Sequence, residues 1–374
     1  MKKIGKEVAF LNTGIGNPRN GEGTFARLKD ETILHVYTEY YGEDWADHAI
    51  ARLSAITSSD EGESWSQPYI ILEKDSNAQN YMSPSLLRLP NGDLGMVFLR
   101  KEKKETGLTL EGEKYVCMPV FVYSKDEGKT WSEYTYCTNI DGYYCAINDG
   151  AIIQKSGRIA VPMSSHKDDI ASTVIIVCSD DCGKSWYTLP HVFKSPFPEF
   201  TIALEEPGLY EHENGELWMY ARTIYGNQYQ SRSKDGGVTW SPVIPNLYFT
   251  APNSPMRVKK VGKYTVSIFN PIGCNCTRDD YTARGSIRRT PFVCAVSDDD
   301  GHSFNDFTSF TDGKQMMKFR DRSFLLEDSP KDTYCYPSVI ETKDGFLCAY
   351  YHSNGGTYTL AATKITKVYF SEIE

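Results

Sequence analysis

The sequence predicts an all-β fold: a six-bladed β-propeller of four-stranded antiparallel blades, with residues 1–374 forming one domain. Three observations predict it. An octapeptide of pattern S-x-D-x-G-x-[ST]-[WF] occurs five times, at 58–65, 124–131, 179–186, 233–240 and 297–304. A longer phrase of apolar run, polar turn with Gly, and second apolar run occurs six times. No stretch carries the roughly 3.6-residue apolar period of an amphipathic helix. Repeats at this period cannot bury their apolar faces singly, and radial closure of such units leaves only short, protected edges.

The hairpin phrases are 24–37, 85–98, 151–162, 208–220, 256–269 and 338–351. Several turn on Asn-Gly or Asp-Gly, the pairs that tolerate the positive φ of tight hairpins. Each of the first five is followed by a further strand, the octapeptide and a last strand, which makes four strands per unit. In the octapeptide the Asp carboxylate can accept backbone N–H groups just ahead of it, and Gly supplies the positive φ. The closing aromatic then packs back into the core, and four of the six tryptophans occupy that slot. The sixth unit lacks the octapeptide and ends in a plain strand, 364–370. Pairing of 8–11 with that strand is the expected closure. Two insertions interrupt the rhythm, 273–289 with Arg278, Arg284, Arg288 and Arg289, and 305–335. Loops of that length in a compact domain are usually functional or disordered.

Composition narrows the function classes. A formal charge of −9 without a basic run speaks against nucleic-acid binding. No run of apolar residues is long enough for a membrane span, and the N-terminal dozen residues carry no signal-peptide core, so a cytoplasmic location is expected and a secreted form stays open. The ten cysteines fall mostly in strand-like apolar runs and read as buried free thiols. Cys274/Cys276 and Cys178/Cys182 lack the second half of a zinc site, so neither metal nor cofactor is expected. The 25 Tyr, 17 Phe and 6 Trp suit both sheets and sugar-stacking surfaces.

The repeat also serves as a ruler. Nine residues before each hairpin-turn position (Glu31, Gly92, Gly157, Gly215, Gly262, Gly345) stand Glu22, Ser83, Asn148, Glu206, Asn253 and Tyr336. All six are polar and open a first strand, the strand that lines a propeller's axis. A ring of polar side chains there forms a ligand funnel.

With these residues in view, the chain resembles the sialidase superfamily over essentially its whole length. The octapeptide is similar to that family's Asp-box. The segment from Glu206 to Arg222 resembles the one in which a catalytic glutamate opens a strand and a carboxylate-binding arginine closes the next. Arg289 stands eight residues before Ser297, as the family's third arginine does, and Tyr336 has the spacing of its nucleophilic tyrosine. Asp47 resembles the acid/base aspartate, with Asp44 as the competitor.

The resemblance implies an exo-glycosidase that removes a terminal α-linked sialic or other nonulosonic acid from glycans, with retention. A neutral tyrosine nucleophile avoids the repulsion a carboxylate would meet at an anomeric carbon bearing its own carboxylate. Glu206 would take the phenolic proton, Asp47 would protonate the leaving oxygen, and Arg222 and Arg289 would fork onto the substrate carboxylate. Asn148, or Asp149 with Tyr143 and Tyr144, are further sugar-binding candidates, as are Tyr225 and Gln228. The chain departs from the family at its first blade, where Glu22–Gly23–Thr24–Phe25 replaces an arginine phrase. Arg19, Arg100 or Lys101 could supply a substitute cation, while the family's late glutamate falls at His352. That leaves open a different terminal sugar read through Glu22, or a carbohydrate-binding propeller without catalysis.

Overall fold

The computed structural model describes residues 1–168, 170–197, 203–273, 289–308, 318–353 and 360–374. Of the sequence expectations, Arg278, Arg284, Arg288, Cys274 and Cys276 fall outside these residues. The fold is all-β, with 54% strand and 1% helix.

Strands follow the repeats. Arg19–Arg27, Ile33–Tyr40, Ala51–Ser58 and Tyr69–Leu72 pair in sequence, antiparallel. Asn80–Arg88, Leu94–Leu110, Glu113–Ser124 and Thr135–Tyr136 do the same. Next, Tyr143–Cys145 and Ile152–Ile153 both pair with Ile159–Lys167, which leads to Ile170–Ser179 and Tyr187–Thr188. Single parallel pairings, Ala51 with Asn80 and Cys117 with Tyr143, join these groups into one 13-stranded sheet. Glu205–Glu211 opens a separate four-stranded sheet, and Arg257–Val261 opens another. In the last sheet Tyr334–Thr342, Gly345–His352 and Ala362–Tyr369 are completed by the N-terminal strand Lys6–Leu11, Leu11 standing opposite Thr363. The expected pairing of the two chain ends is therefore present.

Core clusters lie between successive groups. Leu34 and Leu53 of the first pack with Leu86 and Val120 of the second. The fifth meets the last through Val266, Phe292, Phe346 and Tyr350. The last returns to the first, where Leu347 and Ile365 pack with Phe25 and Ile56. The octapeptide aromatics Trp65, Trp131, Trp186, Trp240 and Phe304 each join one such cluster.

The octapeptide turn works as its residues require. Asp60 Oδ1 accepts the Ser64 N–H at 2.9 Å, Ser58 Oγ accepts the Gly62 N–H at 2.9 Å, and Gly62 has φ +87°. Hydrogen bonds from the Ser64 hydroxyl and N–H hold the Asp60 carboxyl at about 2. The other four copies repeat the Ser and Asp contacts.

One backbone feature positions the site. Register shifts fall between Gly21 and Thr24, Met82 and Ser85, Glu205 and Gly208, and Cys335 and Ser338. Inside those bulges Glu22, Ser83, Glu206 and Tyr336 have φ of +52°, +53°, +38° and +56°. A left-handed non-glycine residue costs on the order of 1 kcal/mol or more, and a bulge re-aims its side chain. Four of the ruler positions are thus four copies of one strained device. In the third group the positive φ (+55°) belongs to Asp149, one residue beyond the ruler.

Candidate active site

At the mouths of the first strands, Glu22, Asp47, Ser83, Lys101, Tyr143, Glu206 and Tyr336 line a cavity of about 70 Å³. A larger cleft, about 540 Å³, lies beside Trp218, Leu247 and Phe304 and contains none of the ruler residues.

The centre of the site is a phenol and a carboxylate. Tyr336 Oη donates to Glu206 Oε1 at 2.5 Å. Arg222 Nη1 donates to Glu206 Oε2 at 2.6 Å and to Tyr336 Oη at 3.1 Å. Burial first, and the Glu206 charge second, push the Tyr336 phenol well above its ordinary range, against Arg222 and Arg289. The phenol is therefore protonated at neutral pH, with an acceptor already in place for its proton. Arg289 lies over the Tyr336 ring, 5.4 Å from its centroid.

Asn253, the ruler residue of the fifth group, holds both arginines. Its Oδ1 accepts Arg222 Nε at 2.6 Å, and its carbonyl accepts Arg289 Nε and Nη2 at 3.2 and 3.0 Å. Arg289 Nη1 also donates to Cys335 Sγ at 3.0 Å.

The first-strand departure has a structural answer. Arg19 is buried and points its guanidinium inward, Nη2 to Glu22 Oε1 at 2.7 Å, Nη1 to Asp47 Oδ1 at 2.6 Å and Nε to Tyr351 Oη at 2.7 Å. Ser83 Oγ donates to Glu22 Oε2 at 2.5 Å. Tyr351 gets there because Gly21 has no side chain: a Cβ would stand 1.9 Å from its ring. Burial pushes the Glu22 carboxyl up, with Arg19 pulling against it. As placed, then, Arg19 neutralises Glu22 and grips Asp47, so its guanidinium is not free to receive a substrate carboxylate.

Between the two acid/base candidates, the cavity is lined by Asp47, while Asp44 is exposed and caps the Ala46 N–H at 3.0 Å. The Asp47 side chain is 66% open to solvent. The atoms crowded around it still penalise its charge, but Arg19 and Lys101 outweigh that penalty and hold the carboxyl at about 2.

Two expected sugar contacts need correction. Asn148 and Asp149 are buried and do not line the cavity. Asn148 Nδ2 donates to the Gly23 carbonyl at 2.6 Å, and Asp149 accepts Lys259 Nζ at 3.0 Å and Thr24 Oγ1 at 3.2 Å. Their polarity ties this turn to the first strands of the first and fifth groups. Tyr144 is turned to the Ile140 carbonyl, Tyr225 to the Phe197 carbonyl and Gln228 to the Ser254 carbonyl. Arg100 is bound by Asp75 and Glu102. Lys101 is different: it is buried, lines the cavity, donates to the Asp47 carbonyl at 2.6 Å and faces the Tyr143 ring at 5.3 Å.

Sequence reasoning missed Tyr351 and the linking part of Asn253. Gly21 beside a polar bulge residue was the available signal for a close approach. Around the site, Arg19, Lys101, Arg222 and Arg289 stand among Glu22, Asp47, Glu205 and Glu206.

A family model described as "BNR repeat-like domain" matches residues 79–349. Three solved structures resemble the chain at low identity. A Dyadobacter fermentans protein described as of unknown function has a TM-score of 0.72 at 16% identity, covering 97% of this chain and 99% of its own. A Hadza microbial sialidase has a TM-score of 0.69 at 13% identity, covering 95% of this chain and 66% of its own. A leech intramolecular trans-sialidase, complexed with 2,7-anhydro-Neu5Ac, has a TM-score of 0.66 at 14% identity, covering 100% and 71%. At these identities the likeness carries the fold.

Proposed function

We propose, from the premise that this chain belongs to the BNR repeat-like domain family within the sialidase-like superfamily, that it is an exo-glycosidase acting on a terminal acidic sugar. The substrate we assign is an α-linked sialic or other nonulosonic acid, cleaved with retention. The architecture we assign is a six-bladed propeller. The cluster order, in which the last sheet packs against the first, supports that architecture.

The observation that carries the function is the Tyr336–Glu206 contact at 2.5 Å, with Arg222 on both groups and Arg289 over the phenol ring. A binding module gains nothing from a phenol poised over a proton acceptor. In the proposed first step Tyr336 Oη attacks the anomeric carbon as its proton passes to Glu206 Oε1, and the bond to the leaving oxygen breaks, that oxygen taking a proton from Asp47 or departing as a phenolate when it is aryl. Water then attacks the tyrosyl glycoside, giving one proton to the Asp47 carboxylate, and Glu206 returns the phenolic proton to Tyr336. Arg222, Arg289 and Lys101 are the cations assigned to the substrate's carboxylate. Lys101 takes this part because Arg19 is spent on Glu22 and Asp47.

The test is hydrolysis of aryl α-sialosides by the purified protein, with the anomer first released read by NMR. Turnover giving the α anomer is expected. An initial β product, or no turnover on any nonulosonic acid glycoside, overturns the reading.

The Arg19–Asp47 contact makes a second, sharper prediction. A carboxyl at about 2 is protonated in roughly one molecule in 10⁵ at neutral pH, so Asp47 is a scarce proton donor. Aryl leaving groups need little protonation and alkyl ones need it fully. Asp47→Ala is therefore expected to lower kcat only a few-fold on aryl sialosides and about 10²-fold or more on alkyl ones. Because the donor form is the protonated one, wild-type turnover of alkyl substrates rises as pH falls below neutrality. Equal losses on both substrate types would remove Asp47 from the proton-donor role.

A further inference from the structure

We propose that Cys145, His166 and Glu205 form a binding site for Zn²⁺ beside the cavity. The three residues come from different strands, Tyr143–Cys145, Ile159–Lys167 and Glu205–Glu211. One ligand atom from each lies within 4.8 Å of the other two. That spacing suits a tetrahedral ion, whose ligands stand about 2.0–2.3 Å from the metal.

The details fit a metal better than a salt bridge alone. His166 Nε2 faces both Glu205 Oε2 and Ser164 Oγ at 3.0 Å, and Ser172 Oγ donates to the other carboxylate oxygen, Oε1, at 2.8 Å. Ser172 is buried and its Oγ accepts the Ala203 N–H at 2.9 Å, so the carboxylate is oriented from behind, as ligating carboxylates are. Cys145 lines the cavity, and its backbone is held by the pairing of Cys145 with Ser164. Sulfur, imidazole nitrogen and one carboxylate oxygen make a donor set for Zn²⁺, whereas Mg²⁺ and Ca²⁺ take oxygen ligands. A thiolate and a carboxylate balance the ion's charge.

The facing groups are the Tyr143 ring, edge-on to His166, Cys117 next to Cys145, and Arg222 opposite Glu205 in register. A metal replaces the imidazole proton and the thiol proton, so binding releases protons. Another cluster, His212, Asp300 and His302, has no thiol and carries an arginine against one of its imidazoles. His212 Nδ1 is taken by the Asp300 carbonyl at 2.7 Å, and Arg232 Nη1 stands 3.0 Å from its Nε2.

The experiment uses the full chain, stripped with chelator, reduced and titrated with ZnCl₂ by calorimetry and with Co²⁺ by absorption. One equivalent is expected to bind with proton release, and Co²⁺ to show a sulfur-to-metal charge-transfer band. Cys145→Ser should lose the band, and His166→Gln the stoichiometric binding. Ser172→Ala should weaken affinity about 10–100-fold, and His302→Ala should leave it unchanged. Absence of binding to the wild type, or a bound Co²⁺ without the thiolate band, overturns the site. So does binding that survives in both ligand variants or is lost in His302→Ala. The Co²⁺ spectrum reads thiolate ligation in the wild type itself, so a poorly folding variant does not shield the proposal.

Discussion

Tyr336→Phe is expected to lower kcat on aryl sialosides by about 10³-fold or more while leaving the protein folded. The phenylalanine ring keeps the packing, over Arg289 at 5.4 Å and edge-on to Tyr351 at 5.8 Å, and loses only the hydroxyl. Glu206→Gln is expected to cost about 10²–10⁴-fold, the range of a lost general base, since the amide oxygen cannot take the phenolic proton. The double variant should be no slower than Tyr336→Phe, because phenol and carboxylate act in one step and their losses do not add. Steady-state kinetics on one aryl substrate, with thermal melts as the folding control, decide it. Multiplicative losses would mean that the two residues serve separate steps. A Tyr336→Phe enzyme of near wild-type rate would remove the tyrosine from the chemistry.

Much of this site was legible because it is built from a repeated local device. The octapeptide encodes its own turn through Ser58, Asp60 and Gly62, which needs no distant partner. The ruler then found Glu22, Ser83, Glu206 and Tyr336 because one bulge recurs at one offset in four first strands. It slipped in the third group, where the bulge sits at Asp149 and the polar side chains tie strands together. What stayed hidden was pairing between elements. Nothing periodic says that Arg19 will meet Tyr351 across 332 residues, or that Asn253 will hold Arg222 and Arg289 at once. The Cys145, His166 and Glu205 cluster is hidden for the same reason, as no short motif contains two of its members.

The largest stability effect is expected at Arg19. Arg19→Met keeps the side chain's length but removes the charge that compensates Glu22, whose side chain is 3% exposed. Ser83 and Tyr351 remain as its hydrogen-bond donors, and neither carries charge. Breaking a buried pair from one side costs about 3–5 kcal/mol, because the surviving charge is left desolvated. Urea denaturation should show that loss, and adding Glu22→Gln should recover most of it, since no buried charge then lacks a partner. A loss below about 1 kcal/mol would mean the pair is solvated in the way surface bridges are. The same variant frees Asp47. In the wild type the depressed Asp47 carboxyl contributes stability that is full above its ordinary 3.8 and lost as pH falls toward 2. Without Arg19 that contribution shrinks, the carboxyl titrates nearer its ordinary value, and the protonated fraction at any pH above it grows. Alkyl sialoside turnover in Arg19→Met, measured at a temperature where the variant is folded, should therefore persist to higher pH than in the wild type. A pH profile that stays in place would separate the two effects, leaving Arg19 as the counter-charge of Glu22 and assigning the Asp47 field to Lys101.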